Sequence, residues 1–262
     1  MPFFVTAYTI TKTPAEAALA AKYDLLIANQ DTSPSHLAWL DSVKAINPNI
    51  KILAYQIITE EPGTAPGPGN TILMDRNRWN AAAQEPWLMT AAGDVAAITV
   101  GGWKVKRLFD YRKAVWQLSI KDACAAILAA YPFDGLFFDN CTASWSKHTA
   151  ANPAAANALQ NVLLDIRRAY PTKLFVGNCV ENWLGLNGEM NEGRPDALAE
   201  LPPADGQVVP NLNLYYMPGS VSTTDAEITA TYNQIHPYTA WFGVHRTDVS
   251  MHYPSLFDSL ES

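Results

Sequence analysis

The chain reads as an α/β protein folded as a single (β/α)8 TIM barrel, and three features of the sequence lead there. Short apolar runs alternate with helix-period segments from end to end, the pattern of strands joined by helical crossovers. Several of those runs are apolar at nearly every position, as strands covered on both faces should be. No Gly-x-Gly-x-x-Gly follows the first run and no Walker-type loop occurs, so open nucleotide-binding sheets lose support. With 262 residues and no internal repeat, one domain over residues 1–262 fits.

Strands are expected at 3–9 (FFVTAYT), 24–29 (DLLIAN), 51–57 (KILAYQI), 135–140 (GLFFDN) and 173–178 (KLFVGN). Three more are expected at 196–201 (DALAEL), 212–217 (LNLYYM) and 239–244 (TAWFGV). The sixth of these contains Ala-Leu-Ala, which serves a helix equally well. Between them lie helix starts: Ser33-Pro34 and Asn152-Pro153 each set a capping side chain before a proline at the first helical position. Thr224 and Glu227 match a capping box. Trp116, Ile120, Cys124, Ile127 and Tyr131 share one helical face, as do Leu159, Val162, Leu163, Ile166 and Tyr170. The last segment, SLFDSLES, reads as a closing helix. The departure from a minimal barrel is an extended loop and hairpin insertion between strands 3 and 4. It comprises a Pro/Gly loop at 60–70 and a hairpin over 86–110 that turns at Ala92-Gly93-Asp94. Insertions of that length usually carry function.

Composition closes off several classes of function. Hydrophobic residues make up 48% and charged residues 16%, which is a globular balance. A net charge of −7, with no Lys/Arg cluster, argues against a nucleic-acid partner. Cys124, Cys141 and Cys179 lack C-x-x-C spacing and read as three buried thiols rather than a zinc site or disulfide framework. The histidines show no His-Glu-x-x-His spacing, so no metal and no cofactor are expected. No run of about 18 apolar residues occurs and the N-terminus has no signal-peptide pattern. A soluble chain without a membrane partner is expected, its compartment left open.

In a barrel the chemistry sits where the strands end, on the βα loops. The expected strand ends supply Tyr8, Asn29, Tyr55 with Gln56, Asp139 with Asn140, Asn178, Glu200, and Tyr215 or Tyr216, followed by His245 and Arg246. That ring is polar, aromatic and holds two carboxylates, Asp139 and Glu200. Two carboxylates across a pocket are the minimal equipment for cleaving a glycosidic bond: one protonates the leaving oxygen, the other attacks the anomeric carbon or activates water. Trp103, Trp145, Trp183 and Trp241 are candidates to stack on sugar rings, although packing between barrel and helices uses tryptophan too.

The segments YDLLIAN, INPNIKILAYQ, PWLMTAAGD, KRLFDYRKAVWQLSIKDACAAIL and FDGLFFDN, in that order, resemble (β/α)8-barrel glycoside hydrolases of the α-galactosaminidase type and related hypothetical hydrolase families. The resemblance covers roughly residues 20–180 and is strongest in FDGLFFDN. It implies that Asp139 is the fourth-strand nucleophile or base and that Asp134 is a turn or helix-end residue. It matches Asp110 to an acid ahead of the third helix. It also implies a later acid on the sixth strand in a pattern like Asp-Gly-x-x-x-Glu. PDALAEL resembles that pattern, with Ala197 where glycine is usual, and places the proton donor at Glu200. Glu181, in GNCVENW, is the next acid available. Tyr8, Tyr55, Asp110, Asn140, Asn178, Tyr215 and His245 complete the expected substrate contacts.

Each residue also has a plainer reading. Asp139 would serve as a rim aspartate or helix cap, Glu200 as an exposed helix residue, and Asp110 as the cap of the following helix. Tyr55 would close the core. The function expected is hydrolysis of an oligo- or polysaccharide. The alternative is a carbohydrate-binding barrel without catalysis, such as a module of a surface or virion assembly.

Overall fold

The computed structural model describes residues 4–7, 12–29, 31–58, 60–62, 87–94, 96–98, 106–141, 153–178, 185–192, 214–218, 224–235 and 241–245. Along the chain come β1 (Phe4–Ala7), α1 (Pro14–Ala20), β2 (Leu25–Ala28), α2 (Pro34–Ile46) and β3 (Lys51–Ile57). Then follow β4 (Glu60–Pro62), β5 (Ala97–Ile98), β6 (Lys106–Leu108), α3 (Ala114–Ala130), β7 (Gly135–Asp139), α4 (Pro153–Ala169) and β8 (Leu174–Asn178). The last are β9 (Gly188–Glu192), β10 (Leu214–Pro218), α5 (Asp225–Ile235) and β11 (Trp241–His245).

Eight strands form one curled sheet in the order β1-β2-β3-β7-β8-β9-β10-β11, every neighbouring pair parallel. This architecture is compatible with a (β/α) barrel. The outermost strands also meet: a Cβ added at Gly243 of β11 would lie 2.8 Å from the ring of Phe4 on β1.

Strand side chains alternate between two clusters, as the pleat requires. Phe4, Leu25, Ile27, Leu53, Phe137, Leu174, Val176, Met190 and Leu214 fill one face of the sheet. Val5, Leu26, Ala28, Ile52, Ala54, Leu136, Phe138 and Phe175 pack on the other with the helices. Both helical faces expected from periodicity lie in that second layer, from Trp116 to Tyr131 and from Leu159 to Ile166, with Tyr170 packed against it. Cys124 and Cys141 are buried thiols, and Cys179 lies outside the described residues.

Local signals explain the helix starts. Thr13 and Glu16 form a reciprocal capping box that opens α1, and Thr224 and Glu227 do the same for α5. Ser33 is the N-cap of α2 ahead of Pro34, but its hydroxyl bonds Asp31 instead of capping. Asp110 is not the cap of α3, which is Lys113. Among the described residues no helix is long and apolar enough to cross a membrane.

Two further expectations are corrected. The sixth strand of the main sheet is β9, not residues 196–201, which lie outside the described residues. β9 holds the position between β8 and β10, with Gly177 beside Glu189 and Glu192 beside Tyr216. Moreover, Glu60 and Glu61 are part of strand β4, where a Pro/Gly loop over 60–70 was expected. β4, β6 and β5 make a small antiparallel sheet between β3 and α3. Leu88, Ala96 and Leu108 give it a core of its own, and Trp87 stacks on Phe109 at 5.0 Å. Its turn falls where expected: the Thr90 amide donates to Asp94 O at 2.8 Å, and Gly93 takes φ +86°.

At the N-terminal entry to β7, Asp134 ties three strands together. Its carboxylate accepts the Ile52 amide at 2.9 Å and Lys44 Nζ at 3.1 Å, with Lys51 Nζ at 3.4 Å. Its backbone bonds Ile52 O and the Leu174 amide. Asp134→Ala is expected to lower stability by about 1–3 kcal/mol, because the Ile52 amide loses its acceptor. A urea titration should show a lower midpoint at unchanged slope.

Candidate active site

β7 is apolar through Leu136, Phe137 and Phe138, all fully buried, and ends on half-buried Asp139. Asp139 lies at the opposite end of the strand from Asp134, about 17 Å away for five extended residues. The flanking strands both reach it. Asn178, the last residue of β8, donates its Nδ2 to Asp139 Oδ1 at 2.9 Å. Tyr55 of β3 donates its hydroxyl to Asp139 Oδ2. The Asn140 amide adds a third donor, to Oδ1 at 2.9 Å. Asn140 adopts φ +52°, a left-handed conformation that asparagine tolerates better than most residues, and the chain turns away there. An ionised carboxylate only accepts hydrogen bonds, so three donors from three directions fix its plane.

Four of the expected site residues, Tyr55, Asp139, Asn140 and Asn178, are thus brought together. Asp110 is not bonded to them. It is nearly buried and holds the Arg112 guanidinium at 2.7 and 2.8 Å, and the Arg112 amide at 3.1 Å. Burial raises its pKa, but the Arg112 hydrogen bonds and the Arg112 and Lys113 charges outweigh this and hold the carboxyl below its ordinary value. His245 occupies the C-terminal end of β11, beside Pro218. Tyr8, Glu181 and Glu200 lie outside the described residues.

The register brings two other positions to this end of the sheet. Glu192 is the last residue of β9, two residues beyond Met190, whose side chain belongs to the inner cluster. Positions 190 and 192 share a face because strands repeat every two residues. Tyr216 pairs with both Glu192 and Gly243, two residues past inner-facing Leu214. Position 215, by contrast, pairs with Asn191 and Phe242, out of phase with Leu214. One signal for Glu192 was present in the sequence: Asn187-Gly188-x-x-x-Glu192 keeps the glycine and glutamate of the expected pattern.

A second polar group lies in the loops after β1 and β2. Lys12, at φ +62°, pairs with Asp31, whose carboxylate also accepts the amide and hydroxyl of Ser33. Burial works against ionisation of Asp31, yet these bonds and the Lys12 charge hold its pKa at about 2. His36, fully buried and stacked on Trp39, has its pKa lowered, first by burial and then by the Lys12 charge. The group locks two rim loops together.

No protein-family model matches the chain, and no curated protein matches it. Solved structures do match. The glycoside hydrolase domain of PelA from Pseudomonas aeruginosa superposes with a TM-score of 0.61 at 12% identity, over 98% of this chain and 96% of that one. Ega3 from Aspergillus fumigatus, in complex with galactosamine, gives 0.57 at 12% over 95% and 92%. The α-galactosidase TtGalA from Thermus thermophilus, in complex with stachyose, gives 0.62 at 11% over 99% of this chain and 64% of that one. At such identities the likeness is one of fold. The chain has a fold found in glycoside hydrolases.

Proposed function

We propose that the chain is a glycoside hydrolase acting on an oligo- or polysaccharide, with Asp139 as nucleophile or general base. The observation that carries this reading is the carboxylate held by three donors at the end of β7, in a fold found in glycoside hydrolases. The eight parallel strands then close through β1 and β11 into one (β/α)8 barrel domain over residues 1–262. The small antiparallel sheet is the insertion on its functional face.

The proton donor in this reading is Glu192 rather than Glu200. Glu192 ends the sixth strand of the sheet and matches the glycine–glutamate spacing, whereas the case for Glu200 rests on a sixth strand at 196–201. In this reading Asn140, Tyr216, His245 and Tyr8 meet sugar hydroxyls, with Tyr216 preferred to Tyr215 because it lies two residues past Leu214. A carboxyl separation of about 5–5.5 Å would make the enzyme retaining, and about 6.5–9.5 Å inverting.

The test is a comparison of Glu192→Gln, Glu200→Gln and Glu181→Gln in a reducing-end assay on the polysaccharide that wild type cleaves. Glu192→Gln alone is expected to lose about 10²–10⁴-fold in turnover. A loss confined to Glu200→Gln or Glu181→Gln would move the donor there and overturn the assignment.

A further inference from the structure

The geometry points to Tyr55 as a positioning residue for Asp139 rather than a substrate contact, an inference that rests on the hydrolase reading of the site. In the parallel register Tyr55 lies beside Phe137, and Ile57, not Tyr55, lies beside Asp139. The Tyr55 backbone is therefore two residues short of the rim, and the length of the phenol brings its hydroxyl to the carboxylate. Its ring packs against the inner apolar cluster and stacks on Phe137, centroids 6.0 Å apart and planes 23° apart. A ring held this way can move its hydroxyl little, so the hydroxyl marks a fixed point in space.

The two oxygens of Asp139 are served differently. Oδ1 takes two donors, from Asn178 and the Asn140 amide, while Oδ2 takes the Tyr55 hydroxyl. Without Tyr55 the carboxylate would remain tethered along one edge and be free to swing its Oδ2 edge. Tyr55 therefore sets the direction in which Oδ2 presents its remaining lone pair to a sugar. A substrate contact would act mainly on KM, whereas a group that aims the reacting carboxylate acts on kcat.

Tyr55→Phe keeps the ring and its stack and removes only the hydroxyl, so the fold should hold. The expected result is a fall in kcat on the order of ten- to a hundredfold. KM should be nearly unchanged. A crystal structure of the variant should show the Asp139 carboxylate turned from its present direction or divided between two. Unchanged kcat, a loss lying wholly in KM, or a carboxylate that has not moved would each overturn the inference. If wild type cleaves no glycan, the hydrolase reading fails, and the crystal structure still decides what Tyr55 does.

Discussion

Asp139→Asn is expected to lose about 10²–10⁴-fold in turnover while folding as the wild type does. The two halves of that expectation have separate causes. Asparagine has the shape of aspartate, and its carbonyl oxygen can take the Oδ1 position, facing Asn178 and the Asn140 amide. Its amide then falls on the Oδ2 position, where the Tyr55 hydroxyl can rotate from donor to acceptor. Every hydrogen bond keeps a partner, so stability should shift by no more than about 1 kcal/mol. The amide, however, has neither the charge to stabilise an oxocarbenium-like centre nor the basicity to activate water. Thermal unfolding and turnover measured on one preparation check both halves.

The largest structural effect is expected at the other end of the same strand. A Cβ built on Gly135 would lie 1.8 Å from the carbonyl oxygen of Leu174 and 2.6 Å from its carbon. These are backbone atoms of the paired strand β8, so no rotamer change relieves the clash. Separating β7 from β8 would also break the bond from the Leu174 amide to Asp134 O. Gly135→Ala should therefore cost at least about 4–5 kcal/mol, comparable with the whole stability of many domains. The expected outcome is no folded protein at 25 °C by circular dichroism. A cooperative wild-type-like melt would show that the two strands can part at little cost.

Much of this arrangement could be read from the sequence because buried parallel strands announce themselves. LLIA, KILAYQI, GLFFD and LFVGN are apolar where both faces are covered, and all are strands where expected. Asp139 was legible for the same reason, as a carboxylate closing an apolar run. β9 was not. Its sequence, GEMNE, holds one large apolar residue and carries Glu189 buried in the interior, so no hydrophobic run marks it. DALAEL has the apolar residues that β9 lacks, so it reads as the strand and brings Glu200 with it. Tyr215 against Tyr216 is a matter of parity, and parity follows from pairing with β9 and β11, which no single strand contains. Asp110 illustrates a third limit: its fate depends on Arg112 folding back two residues, a side-chain event without periodic signature.

The central claim is that the carboxylate at the end of β7 breaks glycosidic bonds. The most direct measurement is release of reducing ends from a panel of bacterial and plant polysaccharides by wild type and Asp139→Asn side by side. The account predicts product from wild type on at least one polymer and loss of nearly all of it in the variant, with both proteins equally folded. Equal product from the two would contradict it, and so would sugar binding by wild type without release from any polymer, the behaviour of a barrel that binds carbohydrate and does not cut it.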